Sequence, residues 1–104
     1  MTSPNAYRGE ASLTVGGTAL IIRPSFEALV AAEEELGPLF ALVERAADGR
    51  LAIGEVAALF DHLSREGRPK GIDRTRIGEA IVDQGLVATS PQLKIVLRQI
   101  LQGR

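Results

Sequence analysis

Cysteine is absent from this chain of 104 residues, and so is tryptophan. Without cysteine the chain can form neither a disulfide nor a thiolate metal site, so an apolar core has to hold the fold. No apolar run approaches the roughly 18 residues that a membrane helix needs. The first seven residues also lack the basic and apolar regions of a secretory signal. We therefore expect a cytoplasmic protein with no membrane partner.

An excess of charge of one sign is missing as well. Lys and Arg number 12 against 13 Asp and Glu, which gives a formal net charge of −1. Nucleic-acid binding requires a clustered basic face. The nearest candidate, residues 65–76, is interrupted by acidic residues and by Gly and Pro, which is typical of a solvated loop. We expect no nucleic-acid partner, and the composition fits one globular domain spanning residues 1–104.

The clearest pattern is a β-hairpin in residues 8–23, centred on Gly16 and Gly17. A glycine pair readily supplies the two positive φ angles of a two-residue turn. Strand alternation then forms one apolar face from three cross-strand pairs, Val15 with Thr18, Leu13 with Leu20 and Ala11 with Ile22. The other face pairs Ser12 with Ile21, Thr14 with Ala19 and Glu10 with Arg23. A slip of one residue would destroy this separation, so the register is well specified.

About five short helices are predicted in residues 24–104, while residues 1–7 are expected to form a flexible arm. Capping residues, glycines and prolines set their bounds. The first helix begins at Pro24 and Ser25, the second covers about 38–47, the third covers about 53–66, the fourth is capped by Asp73, and the last begins at Ser90 and Pro91. The predicted fold class is α+β, an N-terminal two-stranded antiparallel hairpin followed by about five helices in one compact domain.

Helical spacing also predicts which sides face the core. In the first helix the predicted inward residues are Phe26, Leu29, Val30, Glu33 and Leu36. Glu33 should then lie near the core beside a partner such as an arginine, whereas Glu34 and Glu35 should face water. The second helix is apolar around much of its circumference and should be largely buried. In the last helix the predicted inward residues are Leu93, Val96, Leu97, Ile100 and Leu101.

No set of catalytic, cofactor-binding or metal-binding residues is recognisable. The single histidine, His62, follows Asp61, but successive helical residues point apart, which favours a surface or half-buried position for His62. Residues 44–55 imitate a calcium loop in outline. Glu44 and Ala46, however, occupy its first and third positions, where short oxygen ligands are needed. We therefore expect a plain connection between two helices there, with no cofactor.

The exposed parts of the hairpin are the best candidates for contact with another protein. The edges of a two-stranded hairpin are unpaired and can accept a strand from a partner. Ala19 and Ile21 add apolar surface to the outer face. The predicted partner-binding residues are Arg8, Glu10, Ala19, Ile21, Arg23 and Glu33.

A series of short motifs, each weak alone, occurs in a specific order along the first two thirds of the chain. They are Arg8-Gly9-Glu10, Gly16-Gly17, Ala28-Leu29, Glu33 ahead of Leu36-Gly37, Leu42, Gly49-Arg50-Leu51, Glu55-Val56 and Leu59-Phe60. Their order and spacing resemble the tail assembly chaperone family of phages and gene transfer agents, whose members are also labelled phage tail tube proteins. The resemblance covers about residues 5–65. Residues 23–25 depart from the Thr-rich segment expected there, and residues 70–104 match nothing recognisable.

The resemblance implies a non-enzymatic protein that helps to build a phage-like tail by engaging tape-measure or tail tube subunits. A homo-oligomer is left open. Two alternatives remain at this point. One is a small helical regulatory or adaptor domain with a helix-turn-helix in residues 53–86, and the other is a degenerate calcium binder.

Overall fold

The computed structural model describes residues 11–103, so the predicted arm, Arg8 and Glu10 lie outside the described residues. Its elements are β1 (Ala11–Val15), β2 (Thr18–Ile22), α1 (Phe26–Leu36), α2 (Leu39–Ala47), α3 (Ile53–Leu63), α4 (Arg74–Gln84) and α5 (Leu86–Gln102). One antiparallel hairpin precedes five helices, which confirms the predicted α+β class.

The hairpin has the predicted register at every described position, because Gly16 and Gly17 adopt the positive φ angles of the turn, 56° and 81°. The inner face is buried along both strands, and its residues are Ala11, Leu13, Val15, Leu20 and Ile22. The predicted pair of Glu10 with Arg23 lies partly outside the described residues. The glycine turn and the alternation of side chains therefore fix one buried face and one outer face.

Helix α3 occupies the centre of the fold. It packs between α1 and α4, while α4 and α5 pack against β1. Every residue from 56 to 64 is buried, which leaves this part of α3 without a solvent-facing side. The apolar cluster around it draws on both strands and on α1, α4 and α5. Because residues 56–64 are enclosed, the polar side chains among them are expected to find partners within the protein.

Helix α1 turns a different side to the core from the one predicted. Ser25 caps it as expected, since the Ser25 hydroxyl accepts the Ala28 N–H. Phe26, however, is 82% exposed, and Val30 and Glu33 are exposed too. The inward side contains Ala32, which is fully buried, and the partly buried residues Ala28, Leu29 and Leu36. Of the predicted inward residues, Leu29 and Leu36 therefore lie at the core, but the buried side is displaced around the helix toward Ala28 and Ala32.

Helix α2 is not largely buried, contrary to the prediction. Among its residues only Leu42 is buried, and Phe40 is 76% exposed. The reason is its position at the periphery, where α1 is its main packing partner and can cover one side only. An apolar composition around the whole helix therefore did not produce burial around the whole helix.

Helix α5 begins at Leu86, one turn earlier than predicted, and Pro91 lies inside it. The Ser90 hydroxyl donates to Leu86 O at 2.7 Å instead of capping a helix start. Pro91 has no N–H, so one helical hydrogen bond is missing at this point of α5. Leu101 is 52% exposed rather than inward, whereas Val96 is buried as predicted. No helix in the described part of the chain, the 17-residue α5 included, is long and apolar enough to cross a membrane.

Candidate functional site

The outer edge of β1 is closed by side chains from the two C-terminal helices. In this register the main-chain groups of Ser12 and Thr14 point away from β2. Gln92 Oε1 accepts the Ser12 N–H at 2.9 Å, and Gln84 Nε2 donates to Thr14 O at 2.6 Å. The two glutamines occupy donor and acceptor positions that an incoming strand would otherwise use.

The outer edge of β2 is open by comparison. The same register turns the N–H and C=O groups of Ala19 and Ile21 outward. Within residues 11–103, no hydrogen bond from another element reaches these groups. The open stretch stops at Arg23, whose N–H donates to Leu63 O at 2.7 Å. Ala19 is exposed and Ile21 is half-buried on the outer face, so polar main chain and apolar side chains lie side by side.

The structure brings together three of the predicted partner-binding residues and separates another. Ala19, Ile21 and the exposed Arg23 follow one another along the β2 side of the hairpin. Glu33 lies on α1, where its carboxylate accepts the Leu39 N–H at 3.0 Å and so caps α2. Glu33 has no arginine partner within residues 11–103, and its predicted near-core position is wrong because α1 is rotated relative to the prediction. Its role in partner binding stays a prediction.

A buried carboxylate forms a second polar feature that sequence reasoning missed. Asp61 on α3 is 4% exposed. It accepts hydrogen bonds from Arg65 Nη2 at 3.1 Å, Arg68 Nη1 at 2.7 Å and Arg74 Nε at 3.0 Å. Burial raises the pKa of Asp61, but the bonds from Arg68, Arg65 and Arg74 outweigh that effect and lower the pKa to about 2. Asp61 is therefore ionised near neutral pH and joins α3 to the loop and to α4.

Glu35 extends this charged cluster to α1. Arg74 binds both Glu35 carboxylate oxygens, with Nη2 2.8 Å from Oε1, and His62 Nε2 lies 2.7 Å from the same Oε1. The hydrogen bonds from Arg74 and then from His62 lower the pKa of Glu35 to about 2. An ionised carboxylate requires the proton on Nε2 of His62. Glu35 was predicted simply to face water, but it connects α1 to α3 and α4 through these contacts.

His62 is buried, with 7% of its surface exposed, which overturns the predicted surface or half-buried position. Its Nδ1 is also buried and has no hydrogen-bond partner among residues 11–103. The signal that sequence reasoning could have used is the Asp61-His62 pair within the otherwise apolar run of α3. A charged residue in such a run indicates a buried partner of opposite charge.

The structure also bears on the alternatives that the sequence left open. Three arginines of the segment predicted as a solvated basic loop bind Asp61. Residues 64–73 connect α3 to α4, which is longer than the roughly three- to four-residue turn of a helix-turn-helix.

In the calcium-like segment, two acidic side chains already have cationic partners. Glu55 binds Arg45 and accepts the Ala52 N–H at 2.9 Å, and Asp48 binds Arg50 at 3.2 Å. The Ala52 N–H and then Arg45 lower the pKa of Glu55. Residues 11–103 contain no group of three or more His, Asp or Glu side chains placed to hold a metal ion.

Comparison of the sequence with known protein families gives a match that covers most of the chain. The chain belongs to the family described as phage tail tube protein, GTA-gp10, whose model matches residues 8–103. The protein is therefore a tail protein of the phage or gene-transfer-agent type, as the resemblance implied. The match runs through α4 and α5, so it extends the resemblance, which covered about residues 5–65, to the C-terminal part of the chain. No curated protein and no solved structure matches the chain significantly.

Proposed function

We propose that this tail protein is a non-enzymatic assembly chaperone that binds tape-measure or tail tube subunits in the cytoplasm through the open edge of β2. Membership of the tail family supports the class of partner. The hairpin supports the mode of binding, since strand addition to a free edge is a common form of protein recognition.

The contrast between the two hairpin edges is the observation that carries the proposal. Gln84 and Gln92 close the β1 edge, whereas the outward main-chain groups of Ala19 and Ile21 on the β2 edge have no hydrogen-bond partner within residues 11–103. The open stretch is bounded by the glycine turn at one end and by the Arg23 bond to Leu63 at the other. It therefore suits a short partner strand, with the Ile21 side chain supplying apolar contact beside the main-chain bonds.

The charged cluster ties α1, α3 and α4 together through ion pairs and contains no carboxyl group suited to act as a general acid. Asp61 and Glu35 are both bound by guanidinium groups, and their pKa values lie at about 2. Neither carboxyl group can donate a proton near neutral pH, and such a network is typical of a structural tie between elements.

The test is co-purification of the full chain with a tape-measure fragment or a tail tube subunit from the same tail gene cluster. Ala19→Pro removes an N–H that points away from β1, so no hydrogen bond between β1 and β2 is lost. Edge strands tolerate proline at such a position. Ala19→Thr keeps that N–H and is the matched control. We expect Ala19→Pro to weaken binding at least about tenfold and Ala19→Thr to bind like the unmodified chain.

A second variant separates binding from folding. Ile21→Lys should abolish partner binding and leave the melting temperature nearly unchanged, because Ile21 lies on the outer face. Equal binding by Ala19→Pro and Ala19→Thr would contradict a role for the β2 edge. A large loss of stability in Ile21→Lys would show instead that Ile21 belongs to the core.

A further inference from the structure

An open groove between α3 and α4 is not used by the proposed function. Its volume is about 590 Å³. Small residues line the place where the two helices approach, since a Cβ built on Gly78 would lie 3.7 Å from the Ala57 Cβ. Two larger apolar side chains, Ile53 and Val82, line the groove and are 44% and 65% exposed. The groove therefore offers apolar surface that is reachable from solvent.

The groove is acidic on its α4 side. Glu79 and Asp83 line it and stand four residues apart, which places both carboxylates on one side of the helix. Within the described part of the chain neither of them forms an ion pair. Arg76 is near in sequence, but its guanidinium lies beside the hairpin turn, 3.8 Å from a Cβ built on Gly16. The groove thus combines apolar surface with two carboxylates that attract cations.

The exposed side of α5 has the complementary pattern. Lys94 and Arg98 also stand four residues apart and are exposed. Among residues 11–103 they form no ion pair with an acidic side chain. Leu101 lies one turn further along the same side, and Val87 lies two turns before Lys94. Their side chains are 52% and 88% exposed, so apolar residues flank the two cations.

We propose that the exposed side of α5 in one copy of this protein docks into the α3–α4 groove of a second copy. The i,i+4 spacing is the same in both surfaces, so Lys94 and Arg98 can face Glu79 and Asp83 while apolar side chains pack beside them. The two surfaces differ, so the contact is head-to-tail. Repetition of such a contact gives a ring if the rotation closes and a filament if it does not. This self-association uses neither β2 nor a tail partner.

The test is sedimentation velocity of the full chain over a range of concentrations, with charge-reversed variants. The acidic-side variant is Glu79→Lys with Asp83→Lys, and the basic-side variant is Lys94→Glu with Arg98→Glu. All four positions are exposed, and circular dichroism is used to check that each variant folds. We expect concentration-dependent association of the unmodified chain, at least about tenfold weaker association of each variant, and weakening by added salt.

The most informative measurement is sedimentation velocity of a mixture of the two charge-reversed variants. The groove of each variant then matches α5 of the other, so the mixture should associate like the unmodified chain. Glu27→Lys with Glu34→Lys on α1 changes the net charge as much as the acidic-side variant does and is the control for that variant, so it should associate normally. A monomeric unmodified chain, unchanged association of both variants, or no recovery on mixing would overturn the proposal. Binding of a separate basic amphipathic helix by a chain that stays monomeric would overturn the second copy as the occupant.

Discussion

Replacing Asp61 by asparagine tests whether the charged cluster holds the helices together. The difference between the pKa of about 2 and the ordinary value of 3.8 corresponds to about 2 kcal/mol of folding free energy near pH 7. Removing one member of a buried ion pair typically costs about 3–5 kcal/mol. Arg65 and Arg74 are 52% and 37% exposed, so water can solvate them in part. We therefore expect Asp61→Asn to lower the free energy of unfolding by about 3 kcal/mol.

The pH dependence of this loss has a definite sign. A carboxyl group with a lowered pKa in the folded state stabilises the fold above its unfolded pKa, and this contribution disappears as the pH falls through the folded pKa. The contribution of Asp61 is thus complete near pH 7 and declines from about pH 4 to about pH 2. The asparagine variant lacks this contribution, so the stability gap between the two proteins should narrow in acid.

Urea denaturation followed by circular dichroism, at pH values from about 7 to about 2, measures both effects. Urea is suitable because guanidinium chloride would screen the ion pairs. Glu34→Gln is the control, since Glu34 is exposed and forms no ion pair among the described residues. It should change stability by less than about 0.5 kcal/mol. Equal stability of the unmodified and Asp61→Asn proteins near pH 7, or a gap that stays constant in acid, would refute the reasoning.

Two further predictions concern the glycine turn and a pair of phenylalanines, one exposed and one buried. Gly17→Ala should lower the free energy of unfolding by about 1 kcal/mol, because Gly17 has a φ of 81°. Gly54→Ala is the control: it lies in the first turn of α3, where an added Cβ meets nothing within 4 Å, and should be neutral or stabilising. Thermal unfolding compares the two variants, and equal losses of stability would contradict the turn assignment. Phe40 is 76% exposed, so Phe40→Ala should change the free energy of unfolding by less than about 0.5 kcal/mol. Phe60 is 1% exposed, so Phe60→Ala should lower the free energy of unfolding by about 3–5 kcal/mol. Similar losses for the two variants in chemical denaturation would contradict the placement of α2 at the periphery.

Local patterns in the sequence were sufficient where one short-range cause dominates. The Gly16-Gly17 pair determines both the turn and the register, and Ser25 and Asp73 cap their helices as their side chains predict. The helical spacing of Ile77, Ala80 and Ile81 also matches the buried side of α4, because that helix has one covered side.

The errors arise where burial depends on a distant neighbour. Phe26 and Val30 are exposed because the buried side of α1 is centred on Ala32, which lies further round the helix than the predicted side. Likewise, Glu35 and Arg74 are 39 positions apart in sequence, so no local period predicts their pairing. The sequence indicates that a two-stranded hairpin has free edges, but it does not say which edge stays open. That depends on Gln84 and Gln92, which lie far along the chain and bond to the β1 edge.

Amide hydrogen exchange of β2, with and without a tape-measure or tail tube subunit, tests the central claim most directly. If a partner strand adds to this edge, the outward N–H groups of Ala19 and Ile21 should gain protection of at least about tenfold when the partner is present. The Ser12 N–H, which Gln92 already binds, should change little. Protection of Ser12 alone, or no change at Ala19 and Ile21 in a saturated complex, would contradict the account.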